Sequence, residues 1–178
     1  MSGHSKWKQI KYKKAVSDAK RGKVFSKISR TITLAAKEFG ADVKSNPKLA
    51  AFIEEARSVN MPKENIDRAI KKAVEKDSDA LNETLYEAYG PGGSALIITA
   101  VTDNSNRTTN EIKHILSEHG GKLGAQGSAM WAFDKQGGDL TAKFPLVLSG
   151  SDADIFNTLL EALDGQDDIQ EVYSNVAL

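Results

Sequence analysis

Apolar residues recur every three or four positions between residues 24 and 39, which is the spacing of one face of an α-helix. Gly40 follows, at the position where the left-handed turn after a helix favours glycine. The pattern therefore predicts a helix that ends at Phe39. Residues 8–19 hold no glycine or proline and predict an earlier helix capped by Ser5, with a break at residues 20–22. The apolar set of the main helix is Val24, Phe25, Ile28, Ile32, Ala35, Ala36 and Phe39.

Two further helices are predicted before residue 78. Asn46 precedes Pro47, as a cap precedes a proline in the first helical turn, and the apolar spacing continues to about Val59. Pro62 opens the next helix, and the polar residues 77–80 form a link after it. The first half is thus predicted to be a helical domain of about four helices over residues 1–78. The inward positions of its last helix are Ile66, Ala69, Ile70, Ala73 and Val74.

The second half has the pattern of a small α/β domain. Residues 95–101 are apolar and mostly β-branched, as in a buried strand, and Thr108-x-x-Glu111 is a capping box that opens a helix. Strands are predicted at residues 128–133, 141–148 and 169–176, with a helix from Ser151 before the last of them. The order βαββαβ is the ferredoxin-like pattern. The predicted fold class is therefore α+β, with an acidic ferredoxin-like domain over residues 79–178.

Charge is divided unequally between the two halves. The chain has 24 basic and 24 acidic residues, but residues 1–76 carry 19 basic and 8 acidic side chains, a net charge of +11. Residues 77–178 carry 5 basic and 16 acidic side chains, a net charge of −11. Such asymmetry suggests that the first half meets a polyanion and the second does not.

Cations concentrate in the first two predicted helices. Residues 6–30 hold ten basic residues and one acid. Lys20, Lys23, Lys27 and Arg30 are spaced three or four apart, so they are expected to face solvent opposite the apolar stripe. Lysines that neutralise phosphates hold a nucleic-acid backbone without reading base edges, and Trp7 among them suits stacking or packing. The predicted nucleic-acid contacts are Lys6, Trp7, Lys8, Lys11, Lys13, Lys14, Lys20, Arg21, Lys23, Lys27 and Arg30.

Little in the sequence indicates catalysis. Cysteine is absent, the histidines lack the spacing of a metal pair, and no serine lies in a nucleophile elbow. We therefore predict a protein that is not an enzyme and uses no cofactor and no metal. The longest apolar stretch is too short to cross a membrane, so a cytoplasmic protein is expected.

One loop allows two interpretations. Residues 103–108 suit Asx turns and a helix cap, which is a structural role. The same loop would present Asn104, Asn106 and Arg107 as a secondary contact with nucleic acid. The glycines of residues 90–93 fit a tight entry to the buried strand, and those at 121, 124 and 127 are weak signals for phosphate binding.

Six motifs, in order along the chain, resemble the YebC/PmpR family, which is described as probable bacterial transcriptional regulators with mitochondrial relatives that act as translational activators. The motifs are Ser2-Gly-His-Ser-Lys-Trp7, Asp18-Ala-Lys-Arg-Gly-Lys23, Tyr89-Gly-Pro-Gly-Gly93, Asp103-Asn-x-Asn-Arg-Thr108, Gly120-Gly-x-Leu-Gly124 with Gly127-Ser128, and Val172-Tyr173 with Asn175.

The resemblance implies a helical N-terminal domain joined to α/β domains, with nucleic acid or the ribosome as partner and no catalytic activity. Family members carry a further α/β segment before the last helix, where this chain has only residues 137–150, so it resembles a short form without the third domain. Three functions stay open: a regulator that binds duplex DNA, a translation factor that binds ribosomal RNA, and a module that binds protein. The family description favours DNA.

Overall fold

The structure is a computed structural model that describes Trp7, Gln9 and residues 18–75, 81–137 and 139–177, apart from the side chains of residues 18–20 and 136. The chain divides into two compact units. The helical unit includes residues 18–75 and 101–103, and the α/β unit includes Trp7 and residues 83–100 and 104–177. The predicted class, α+β with helices first, is confirmed.

Within its described residues, the helical unit has three helices: α1 (Asp18–Phe39), α2 (Pro47–Ser58) and α3 (Lys63–Val74). Their apolar faces meet in one core because each helix repeats apolar side chains at helical spacing. Two predicted apolar positions are exceptions: Val74, the last residue of α3, is 66% exposed, and Phe39, the last residue of α1, is 61% exposed. The core consists of Val24, Ile28, Ile32, Ala35, Ala36, Leu49, Ile53, Ala56, Met61, Ile66, Ala69 and Ala73.

Helix α1 ends where the sequence predicts but begins earlier. Gly40 has a φ of +92° and donates its N–H to the carbonyl of Ala36 at 3.0 Å, which closes the last turn. The break predicted at residues 20–22 is wrong, because α1 runs continuously from Asp18 through Gly22. A glycine inside a helix costs about 1 kcal/mol relative to alanine, which 22 residues of packed helix can absorb.

Asn46 fixes the turn between α1 and α2. Its side-chain oxygen accepts a hydrogen bond from the backbone N–H of Leu49 at 3.0 Å, which caps α2. Its amide nitrogen donates to the carbonyls of Ala35 and Gly40 at 2.9 and 2.8 Å. One buried side chain therefore satisfies backbone groups at the end of one helix and the start of the next.

The elements of the α/β unit are β1 (Asn82–Tyr89), β2 (Ala95–Thr102), α4 (Ser105–Glu118), β3 (Lys122–Leu123), β4 (Phe133–Gln136), β5 (Asp139–Ala142), β6 (Leu146–Val147), α5 (Gly150–Gly165), β7 (Ile169–Ser174) and β8 (Val176–Ala177). The main sheet has four strands in the order β3-β1-β2-β7. Strand β1 pairs antiparallel with β3, and β2 pairs antiparallel with β7. Strands β4 and β5 form a separate antiparallel hairpin, and β6 pairs parallel with β8.

This order of elements differs from the predicted βαββαβ pattern. Strand β1, which the sequence analysis did not assign, forms a hairpin with β2 through the turn at Pro91–Gly93. Residues 130–132 form a 3₁₀ turn in place of the strand predicted at 128–133, and β5 ends at Ala142. The four strands of the main sheet, β1, β2, β3 and β7, and the helices α4 and α5 thus follow one another along the chain in the order ββαβαβ.

Both faces of the main sheet are covered. One face packs against α4 and α5 around a cluster that includes Leu96, Leu116 and Phe156. The other face packs against the 3₁₀ turn and β4, through Ala132 and Phe133. Strand β2 is buried over nearly its whole length, as its unbroken apolar sequence predicts.

Candidate nucleic-acid interface

The predicted cationic face of α1 is only partly exposed. Arg21 and Lys23 are exposed, as expected. Lys27 is 3% exposed, and Leu34, seven residues on along the same face of α1, is 5% exposed. Arg30 is half-buried, and its Nη1 lies 3.5 Å from the carbonyl of Val101. The prediction that Lys27 faces solvent is therefore wrong.

Six other predicted cations cannot be placed in the same detail. The side chain of Lys20, at the start of α1, is not described. The contact of all six cations with nucleic acid stays a prediction. The remaining five lie outside the described residues and are Lys6, Lys8, Lys11, Lys13 and Lys14.

Trp7 has a different environment from the one predicted. Its side chain is fully buried and belongs to the same apolar cluster as Leu116, Phe156 and Leu160. The ring is therefore part of the core of the α/β unit and is not available to stack on a base. Of the two roles that the sequence allowed for this residue, packing is the one that the structure has.

A second set of cations lies on α3. Lys63, Arg68, Lys71 and Lys72 are all exposed. All but the first of them lie between the inward positions predicted for this helix, and none was among the predicted contacts. Their spacing along the helix was the signal that would have added them.

The loop that precedes α4 has a structural role. Asn104 caps α4 by accepting the backbone N–H of Arg107 on its side-chain oxygen at 3.1 Å. Arg107 in turn donates through Nη2 to the carboxylate of Asp168 at 3.0 Å. Asn106 is exposed on the first turn of α4. Two of the three predicted secondary contacts thus make hydrogen bonds within the α/β unit, and the contact of all three with nucleic acid stays a prediction.

Asp168 is the centre of that anchor. It is 1% exposed, and its Oδ2 accepts hydrogen bonds from Thr108 Oγ1 at 2.6 Å and from Gln166 Nε2 at 3.2 Å, besides the one from Arg107. Buried carboxylates require such partners because an unpaired charge is costly to desolvate. This arrangement explains the asparagine, arginine and threonine of the loop without a ligand.

A second buried carboxylate organises the segment that follows β3. Glu87 accepts hydrogen bonds from the backbone N–H groups of Gly127, Ala129 and Met130 at 2.5, 2.7 and 2.9 Å. Desolvation raises the pKa of Glu87, but the three donors more than offset it, so its pKa lies below the usual value. The glycine of position 127, with a φ of +82°, belongs to this carboxylate-binding turn and not to a phosphate site.

An exposed pair of aromatic rings lies beyond that segment. Trp131 and Phe144 are 55% and 51% exposed, and their ring centroids are 5.6 Å apart. The indole N–H of Trp131 donates to the hydroxyl of Tyr89 at 3.2 Å, which fixes the orientation of the ring. No signal in the sequence distinguished this exposed tryptophan from the buried one.

The described residues contain no group of three or more His, Asp or Glu side chains that could hold a metal ion. His114 pairs with Glu118 at 3.5 Å, and Nδ1 of His119 lies 2.8 Å from the carbonyl of Ile115, so both act within their own helix region. No described helix combines the length and the apolar character needed to cross a membrane.

Two family models of known proteins match the chain on either side of residues 77–80. The family model for the TACO1/YebC protein N-terminal domain matches residues 5–76, and the model for the TACO1/YebC second and third domain matches residues 81–143. The chain belongs to the TACO1/YebC family. The resemblance stated from the motifs is therefore confirmed.

Named relatives support the same family. A probable transcriptional regulatory protein of Fervidobacterium nodosum is 47% identical over 172 residues, which cover 96% of this chain and 66% of the relative. A probable transcriptional regulatory protein of Thermoanaerobacter pseudethanolicus is 54% identical over 138 residues, which cover 77% of this chain and 56% of the relative. The chain thus spans between about half and two thirds of the length of these relatives.

A solved structure has the same fold. The crystal structure of a conserved hypothetical protein from Aquifex aeolicus superimposes with a TM-score of 0.81 at 31% sequence identity, covering 90% of this chain and 91% of that one. The interpretation of the chain as a short form without a third domain stays a prediction.

Proposed function

We propose that this protein is a regulator without catalytic activity that binds nucleic acid through the helical unit, and that duplex DNA is its main target. The family and the names of the relatives, probable transcriptional regulatory proteins, support a regulatory role. The proposal extends to this chain what those names say of longer proteins.

The observation that carries the proposal is the set of exposed cations on α1 and α3. Arg21 and Lys23 on α1 join four cations on α3, while residues 77–178 carry a net charge of −11. Each phosphate that such a cation neutralises releases condensed counterions, so log K falls with log salt by about 0.9 per contact on duplex DNA. The four cations on α3 are Lys63, Arg68, Lys71 and Lys72.

A second candidate is a translation factor that binds ribosomal RNA. Most of the exposed cations are lysines, which make point contacts with phosphates and do not read base edges. Structured RNA is recognised largely by shape and backbone, so the same surface suits it. A third candidate, a module that binds protein through its acidic half, would leave the cations without a role in binding.

The test is equilibrium binding of the full chain to a labelled DNA duplex and to an RNA hairpin of equal phosphate number, across a series of salt concentrations. The variant Arg21→Gln/Lys23→Gln is compared with Lys113→Gln/Lys122→Gln, which removes two exposed cations from the α/β unit. We expect the α1 variant to lower the salt slope on duplex DNA by up to about 1.8 and the control to leave it unchanged.

The outcomes separate the candidates. Tighter binding to DNA supports the first, and tighter binding to RNA together with sedimentation on ribosomal particles supports the second. Failure to retain either polymer at low salt overturns the proposal as a whole. Equal effects of the two variants would contradict the assignment of binding to the helical unit.

A further inference from the structure

A groove of about 270 Å³ runs between α1 and α3, and we call it the α1–α3 groove. Its α1 wall is low because Gly22, Ser26 and Ser29 recur at spacing four and three, which puts small residues in one row. Its α3 wall carries Asn65, Arg68 and Lys72, again in one row at spacing three and four. The groove therefore lies wholly within the helical unit.

The base of the groove is held rigidly by packing between the two helices. Thr33 of α1 is buried, and its hydroxyl donates to the carbonyl of Ala69 on α3 at 2.9 Å. Phe25, half-buried in the helical core, also lines the groove. A site on two packed helices keeps its shape when a ligand enters, which lowers the entropy cost of binding.

The polar groups that line the groove are all able to donate hydrogen bonds. Apart from the hydroxyl of Thr33, which is bound to Ala69, they are the hydroxyls of Ser26 and Ser29, the amide of Asn65, and the cations of Arg68 and Lys72. No described residue that lines the groove is acidic. Serine, asparagine, arginine and lysine side chains are the groups that contact phosphate and sugar in complexes with nucleic acid. The lining thus matches an anion that carries several acceptor oxygens along its length.

We propose that the α1–α3 groove receives the sugar–phosphate backbone of the bound nucleic acid, with one phosphate held by Arg68 and Lys72 and the adjoining sugar or phosphate against Ser26, Ser29 and Asn65. The proposal rests on the function proposed above and assigns to it residues outside the predicted contact set. A single lysine on an open helix face offers one point charge, whereas the groove offers donors from two sides.

The helical unit itself supplies a matched control. Arg68→Gln/Lys72→Gln removes two cations that line the groove, and Lys37→Gln/Lys44→Gln removes two exposed cations of the same unit that neither line the groove nor belong to the proposed contacts. We expect the groove variant to weaken binding at least about tenfold at fixed salt, as loss of two charge-assisted hydrogen bonds implies. The control should weaken binding by less than about threefold, through long-range charge alone.

A second pair of variants changes the shape of the groove without changing charge. Ser26→Leu fills the groove from its α1 wall, and Ala51→Leu adds a similar side chain to an exposed position of α2. Both residues are exposed and leucine favours helix, so circular dichroism and thermal unfolding should stay near those of the parent. We expect Ser26→Leu alone to weaken binding.

The results distinguish this proposal from the proposed function. If the parent chain binds no nucleic acid, the proposed function fails. If the parent binds but the groove variant and its control lose affinity equally and Ser26→Leu has no effect, binding is diffuse and only the groove proposal is overturned.

Discussion

The hydroxyl of Thr108 donates a 2.6 Å hydrogen bond to the buried carboxylate of Asp168, 60 residues further along the chain. The same carboxylate accepts from Arg107 at 3.0 Å. Two adjacent residues near the start of α4 thereby bind the residue that directly precedes β7. Arg107, which the sequence suggested for contact with nucleic acid, thus takes part in a contact within the α/β unit.

Replacement of Asp168 should therefore destabilise the α/β unit. Asp168→Ala leaves the buried hydroxyl of Thr108 with only the carbonyl of Asn104, at 3.1 Å, as acceptor. It also removes the closer of the two carboxylates that pair with Arg107. We expect a loss of about 2–3 kcal/mol in the free energy of unfolding, measured by urea titration. Asp167→Ala, at the exposed neighbouring position, should change it by less than about 0.5 kcal/mol. Equal effects at both positions would contradict this account.

A second prediction concerns the turn between α1 and α2. Asn46→Ala removes the cap of α2 and leaves the carbonyls of Ala35 and Gly40 without their donor, so we expect a loss of about 2 kcal/mol. Asn46→Asp keeps the accepting oxygen and loses the amide donors, and its effect on the urea midpoint should be intermediate. The idea is wrong if Asn46→Ala is no more harmful than Ser45→Ala at the exposed neighbour.

The helices were predictable because their signals are local. Apolar residues at helical spacing identify α1 and α3. Gly40 follows the last residue of α1, and Pro47 is the first residue of α2. Strand β1 was missed because its side chains contradict the usual rule: Leu85 is 50% exposed while Glu87 is 5% exposed. Glu87 is buried because it binds backbone N–H groups 40 or more residues away, which no pattern within the strand records.

The candidate interface was predictable only in part, for a similar reason. Helical spacing identifies which residues share a face but not whether another part of the chain covers that face. Lys27 and Trp7 are both covered, and no residue near them in sequence indicates it. The groove between α1 and α3 depends on which rows of residues on the two helices meet. The sequence alone therefore could not show that the small residues at 22, 26 and 29 line a groove.

A third prediction follows from the lowered pKa of Glu87. A carboxylate whose pKa is lower in the folded state stabilises the fold above the pKa of the unfolded group, about 4.3, and this stability is lost as the pH falls through the folded pKa. Glu87→Gln should have a lower free energy of unfolding than the parent at pH 7. The difference between the two free energies of unfolding should become smaller as the pH falls from 5 to 3. Urea titrations at several pH values measure both effects.

The matched control for that experiment is Glu83→Gln, on an exposed position of the same strand. It should leave both the stability at pH 7 and the pH profile close to those of the parent. A difference between parent and Glu87→Gln that stays constant from pH 7 to pH 3 would show that the charge of Glu87 is not what binds the three N–H groups.

The two tryptophans provide the last prediction, which tests whether the first of them contacts nucleic acid. Trp7 is fully buried and Trp131 is 55% exposed, so Trp131→Phe should leave blue-shifted emission that iodide quenches poorly. Trp7→Phe should leave red-shifted emission that iodide quenches well. Because a ring inside a core cannot stack on a base, addition of saturating DNA to Trp131→Phe should leave the emission of Trp7 unchanged. Strong quenching of that emission on binding would mean that Trp7 leaves the core to reach the nucleic acid.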